Sequence, residues 1–145
     1  EYSQNVANDI RAVMQTHAGV FRSQATMDDG VKKIAALRER VNNIGLKDNS
    51  KVFNTARVEA LEVENLMEVA QATMESAAAR HECRGAHLVR DYEHDVTHPT
   101  CPLGRNDAEW MKHTLWHKEG NALTYKPVRM KPLTAETVPP KPRTF

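Results

Sequence analysis

The sequence predicts an all-α fold, a three-helix bundle of the spectrin-repeat kind running up-down-up over 1–85, followed by an irregular extension over 86–145 packed on it. Three observations lead there. Apolar residues recur at steps of three and four through the first half, the spacing that lines one helical face. A long stretch from about Thr55 to Ala79 is rich in Ala, Leu, Glu and Met and contains no Gly or Pro. Past Gly85 the helical pattern stops and prolines accumulate.

Val6, Ile10, Val13, Met14 and His17 place a first amphipathic helix over residues 4–17. Gly19 follows and leads into Val20, Phe21 and Arg22, read as a corner between packed helices. Thr26 and Asp29 have the spacing of a capping box, so a second helix is expected to start there. Its stripe is Met27, Val31, Ile34, Leu37, Val41 and Ile44, with Gly45 as the stop. Asn54 is suited to cap the third helix. Leu61, Val69, Val58, Leu66, Val63, Met74 and Met67 fill more than half of its wheel, an arc wide enough for packing on two sides. In the extension, Asn106 and Asp107 can open a short helix near 107–113. The segments 113–118 and 122–128, joined by Glu119-Gly120-Asn121, have the pattern of a small β-hairpin. The tail with Pro127, Pro132, Pro139, Pro140 and Pro142 should be extended and held by contacts outside itself.

Composition narrows the function. The 145 residues fit one domain, and 40% hydrophobic with 27% charged residues is globular rather than disordered. Lys plus Arg total 20 against 19 acidic residues, a net charge of +1 that gives no electrostatic reason to expect nucleic acid or an anionic membrane. No apolar run approaches the roughly 18 to 20 residues that cross a bilayer. The start shows neither a signal-peptide pattern nor an initiator Met, so the chain reads as a soluble piece of a longer protein. Two cysteines, Cys83 and Cys101, favour a reducing compartment over a secreted disulfide framework, although one bridge between them stays open.

Three groups of residues invite a chemical role. His81, Cys83, His87, His94, His98 and Cys101 are of the types that bind zinc, and His94, His98 and Cys101 have workable spacing; the set lacks a CxxC pair, and polar loop residues are the plainer reading. Glu59 and Glu62 fall within the apolar arc of the third helix. They could serve acid–base chemistry, but a packed junction where arginines or amides hold them is the plainer expectation. Arg84-Gly85-Ala86-His87 closes the long helix with a guanidinium fork and an imidazole, suited to an anion or, more simply, to a neighbouring domain. No GxGxxG, P-loop or nucleophile elbow occurs, which argues against a catalytic site contained in this chain.

The strings Phe53-Asn54-Thr55-x-Arg57-x-Glu59-Ala60-Leu61-Glu62-x-x-Asn65-Leu66 and Glu82-Cys83-Arg84-Gly85-Ala86-His87 carry a resemblance. So do Trp110-Met111-Lys112-His113-Thr114-Leu115, Pro139-Pro140-Lys141-Pro142-Arg143-Thr144-Phe145, Gly19-Val20-Phe21-Arg22 and Tyr125-Lys126-Pro127-Val128. From about Ile10 to Phe145 the chain resembles the C-terminal domain of the flavoprotein subunit of succinate dehydrogenase and fumarate reductase. The resemblance implies a bundle docked on a flavin-binding domain, with FAD, its covalent histidine and the substrate residues upstream. No catalytic or cofactor-binding residue can then be carried onto this chain.

It further implies a parent enzyme that oxidises succinate and passes electrons to an iron–sulfur subunit and quinone. That complex would lie peripherally on the cytoplasmic face of the inner membrane, or the matrix side in mitochondria. Arg84, His87, Arg90 and Asp91 are the expected domain-docking residues. Two departures stand out: Ser is usual in the family where Cys83 stands, and an insertion at 93–105 carries His94, His98 and Cys101. A free-standing helical interaction module with a small zinc site is the alternative, and weak self-association through the wide apolar arc is expected of the isolated chain.

Overall fold

The computed structural model describes residues 1–94 and 104–141. Helices α1 (Ser3–His17), α2 (Gln24–Val41) and α3 (Thr55–Ala79) pack against one another pairwise as the predicted bundle. The two-residue strands β1 (Phe21–Arg22) and β2 (Leu88–Val89) pair in parallel. A single turn of helix, α4 (Asp107–Trp110), precedes an antiparallel hairpin of β3 (Lys112–His117) and β4 (Ala122–Pro127).

α3 has the bounds its composition predicts, and the Asn54 side chain accepts the Arg57 amide at 2.8 Å to satisfy an orphan donor of the first turn. α2 starts earlier than expected. Ser23, rather than Thr26, is its cap, accepting the Thr26 amide at 3.2 Å, while Asp29 pairs with Lys33 at 2.8 Å instead of reaching back. The same helix ends at Val41, before Gly45, where Asn42 and Asn43 turn the chain and leave Ile44 still packed on the core.

Ile10, Ile34, Met67 and Met74 fill the centre of the bundle and are essentially solvent-free. Each such side chain contributes roughly 1.5–3 kcal/mol by leaving water. Gly30 lets the helices approach, since a methyl group there would lie 2.7 Å from His17 Cβ. Only part of the α3 arc is used: Val63, Met67, Ala70, Met74 and Ala77 are buried, whereas Val58, Leu61 and Val69 are exposed. A second cluster of Met27, Ala77, Ala78, Cys83 and Val89 joins the bundle to the start of the extension.

The hairpin is tied back to α3 at its turn. Lys118 meets Glu68 at 2.8 Å, Glu68 also receives Arg38 of α2 at 2.8 Å, and Asn121 Nδ2 donates to Glu75 at 2.8 Å. At its other end Trp110 is buried, edge-on to Tyr125 at 6.0 Å between centroids, with Arg80 and Lys112 over its ring. Arg105 Nη1 donates to the Lys141 carbonyl at 3.0 Å and so holds the tail at that residue.

Candidate docking face

The corner between α1 and α2 is built on Arg22. Its Nε donates to the Gly19 carbonyl at 2.9 Å and its Nη2 to the Ala18 carbonyl at 3.1 Å, so it closes the C-terminal end of α1. Nη1 points across to His87 Nδ1 at 2.9 Å. The other ring nitrogen, Nε2, lies 2.9 Å from the Arg80 carbonyl oxygen. A carbonyl can only accept and a guanidinium can only donate, so the neutral tautomer with its hydrogen on Nε2 fits both partners. Burial holds the His87 pKa below the usual histidine range, the Arg80 carbonyl working against that shift and the Arg22 charge adding to it. Burial also lowers Arg22 from its ordinary value.

Beside this corner lies Glu82, which is completely buried. Its Oε1 receives Arg80 Nη1 at 2.7 Å and Arg84 Nε at 2.8 Å; its Oε2 receives the Asn106 amide at 2.9 Å and Arg84 Nη2 at 3.2 Å. Arg84 continues to Asp107 at 2.6 Å, and Asp107 takes Arg105 at 2.7 Å on its second oxygen. For Arg84, burial pulls the pKa down, but Glu82 and Asp107 outweigh it and the net shift is upward. For Asp107, burial pushes upward and is overcome by Arg84 and Arg105, so its carboxyl is held below the ordinary range. Arg80 Nη2 adds hydrogen bonds to the Lys112 carbonyl at 2.7 Å and the Thr114 hydroxyl at 3.0 Å. One carboxylate therefore fastens the end of α3, the turn at 84–87, α4 and the hairpin together.

What this support presents to solvent is small and apolar with a cation beside it. Val20 is 73% and Phe21 62% exposed. The Arg90 guanidinium stands 5.1 Å from the Phe21 ring centroid, and the Arg90 amide donates to the Arg22 carbonyl at 2.8 Å. Asp91 accepts the Gln24 amide at 2.9 Å, a carboxylate at the otherwise acid-free first turn of α2. Of the four residues singled out in the sequence, Arg84 and His87 are drawn into the chain's own polar network, while Arg90 stands exposed beside Phe21 and Asp91 exposed at the start of α2. Arg22, Arg80 and Glu82 were not among the candidate site residues of the sequence, because their roles are set by contacts as far as 24 residues away for Glu82, 30 to 34 for Arg80 and 65 for Arg22.

The metal-type residues are occupied individually. Cys83 is buried, its Sγ 3.2 Å from the Val89 carbonyl oxygen and 3.3 Å from the Val89 amide, and burial raises its pKa. His81 stacks on Tyr92 with centroids 5.9 Å apart, His94 pairs with Glu93 at 3.2 Å, and His98 and Cys101 lie outside the described residues. Among the described residues no three His, Cys, Asp or Glu side chains converge. Glu59 and Glu62 are exposed rather than set at a packed junction. They line an open groove of about 250 Å³ between α1 and α3, facing Arg11.

The sequence pattern described as "Fumarate reductase flavoprotein C-term" matches residues 7–145. The succinate dehydrogenase flavoprotein subunit of Coxiella burnetii is 42% identical over 135 residues, 93% of this chain and 21% of that protein. The Rickettsia conorii subunit of the same name is 42% identical over 141 residues, 94% of this chain and 22% of its own length. The fumarate reductase flavoprotein subunit of Haemophilus influenzae is 37% identical over 128 residues, 86% of this chain and 20% of that one. Among solved structures, a mutant FrdA of E. coli quinol fumarate reductase superposes with a TM-score of 0.77 at 28% identity, covering 96% of this chain and 23% of that one. The chain thus spans about a fifth of the length of the relatives it matches.

Proposed function

The chain belongs to the fumarate reductase flavoprotein C-terminal family, and from that premise we propose that it is the accessory, docking domain of an FAD-containing succinate dehydrogenase or fumarate reductase subunit. The whole subunit oxidises succinate to fumarate and passes electrons to an iron–sulfur subunit and on to quinone. This chain is not catalytic by itself. It holds the flavin-binding domain, and it contributes to assembly of the complex on the cytoplasmic or matrix face of the inner membrane. No described helix is long and apolar enough to cross a membrane.

The flavin fits the residues of this chain poorly. Its grooves are open and lie between helices or along the hairpin, without a glycine-rich turn leading into a helix N-terminus that would cradle a pyrophosphate. On this reading the cofactor belongs to the remainder of the subunit.

The observation that supports the docking reading is the exposed pair Val20 and Phe21, with Arg90 over the ring, on a corner made rigid by Arg22, His87 and buried Glu82. An aromatic anchor with an arginine beside it, already ordered, is the composition of an interface centre that loses little entropy on binding. The division into a bundle at 1–85 and an extension at 86–145 is part of the same proposal: bundle and extension meet at this corner, so both contribute to the face. The test is succinate-dependent dye reduction by the flavin-binding remainder, with and without this chain supplied in trans. The chain alone should be inactive, yet bind the remainder and raise or prolong its activity. No binding and no change in activity would overturn the proposal.

A further inference from the structure

At the opposite end of the bundle, about 27 Å away along α2 at 1.5 Å per residue, the chain holds an aromatic side chain in a backbone conformation that its chemistry disfavours. Phe53 has φ +51°, in the left-handed region that glycine and asparagine enter readily and bulky residues avoid. Its ring gains nothing inside the fold: Phe53 is 96% exposed and Val52 beside it 72%. The loop that presents them is fixed by Asn54. Its side-chain Nδ2 donates to the Asp48 and Ser50 carbonyls, each at 2.9 Å, and its Oδ1 accepts the Arg57 amide to cap α3. Asp48 in turn accepts the Ser50 amide at 2.8 Å. The cap and the loop need Asn54; nothing in either needs a phenyl ring at 53.

The surroundings are positively charged. Lys47, Lys51 and Arg57 are exposed along the chain that forms the loop and opens α3, with Asp48 as the acid within the loop; Lys47 lies over the Tyr2 ring, Arg57 shares a groove with Glu64, and the first turn of α3 contains no acidic residue to offset the helix N-terminus. Two exposed apolar side chains, preset by a hydrogen-bonded loop and collared by cations, form an anchor and not a socket. We infer that Phe53 and Val52 insert into an apolar socket rimmed by carboxylates on the remainder of the flavoprotein subunit, forming a second docking point. The complementary charge is what identifies the occupant's rim. The covalent tether of the relatives, in which the matched part is only 21–22% of the length, places that occupant at high effective concentration. This rests on the docking function proposed above.

The experiment pairs Phe53→Gly with Phe21→Ala in the chain and measures thermal stability alone and affinity for the flavin-binding remainder. Glycine relaxes the backbone at 53, so Phe53→Gly should keep or raise the melting temperature while weakening association at least tenfold. Lys51→Glu with Arg57→Glu should weaken it further at low salt, and wild-type affinity should fall as ionic strength rises. A lowered melting temperature for Phe53→Gly, or affinity equal to wild type, overturns the inference. If Phe21→Ala alone weakens binding, the second anchor is wrong and the docking function stands. If the wild-type chain does not bind, both fall. Should Phe53→Gly dissolve a self-associated form of the chain and leave binding to the remainder unchanged, the occupant is a second copy and the inference fails.

Discussion

Arg22 Nη1 and His87 Nδ1 lie 2.9 Å apart although 65 residues separate them. The contact requires an unprotonated Nδ1, since a proton there would face a permanent cation. Burial lowers the folded-state pKa of His87 below its ordinary value. Below about pH 6.5 the unfolded chain therefore takes up a proton that the folded chain resists. The stability due to neutral His87 is complete above that pH and is lost as pH falls toward the folded-state value. The melting temperature should drop as pH falls below about 6.5, and the drop should be smaller in His87→Gln; equal slopes for the two proteins would exclude the linkage.

Glu82→Gln should be strongly destabilising. The substitution keeps the volume but leaves Arg80 and Arg84 facing a neutral amide at a site with no solvent access. Removing one partner of a buried ion pair costs about 3–5 kcal/mol. Asp107→Asn should cost less, because its carboxylate is 26% exposed and water can reach Arg84 in its place. Urea denaturation of the two variants should rank them in that order.

Gly30→Ala opposes helix propensity to packing. In an open helix the change would stabilise by up to about 1 kcal/mol. Here the added methyl would lie 2.7 Å from His17 Cβ, which is fixed by its backbone, and 2.8 Å from the end of Met74, which can move. Overpacking of this kind costs roughly 1–3 kcal/mol, so a net loss of stability is expected, and Met74→Leu combined with it should not restore the wild-type value because His17 remains. A neutral or stabilising Gly30→Ala would mean that α1 can shift away from α2.

Periodicity made the three helices and the hairpin legible, because a buried stripe leaves its spacing in the sequence. The bounds of α3 followed from Asn54 and Ala79, where local capping and composition agree. The start of α2 did not, since Ser23 and Thr26 both offer a hydroxyl and only the pairing of Phe21–Arg22 with Leu88–Val89 brings the earlier one into place. Hydrophobic pattern likewise could not separate the buried half of α3 from Val58, Leu61 and Val69, which have the same residue types on a face that no described element covers. At the candidate face the motif 84–87 was visible as chemistry. That Arg84 would turn inward to Glu82 and Asp107, leaving Arg90 on Phe21, depends on tertiary contacts that spacing does not encode.

Two of the three described glycines with a left-handed backbone, Gly85 and Gly104, offer a matched pair. Gly85 has φ +58° with open space where a Cβ would go, whereas Gly104 has φ +78° and a Cβ there would fall inside the contact distance of the Tyr92 carbonyl, with Cys83 Sγ at 3.2 Å. Alanine at 85 should cost only the left-handed penalty of about 1–2 kcal/mol. At 104 the same penalty applies and a steric one is added, because the Gly104 carbonyl accepts the Cys83 amide at 2.9 Å and cannot withdraw without breaking that bond. Gly104→Ala should therefore lower the melting temperature more than Gly85→Ala. It should also expose Cys83 to thiol reagents, since Gly104 covers the sulfur. Equal stabilities and an unreactive Cys83 in both would show that the chain around 104 has room to move, and that the junction between Tyr92 and Gly104 does not hold the extension against the bundle.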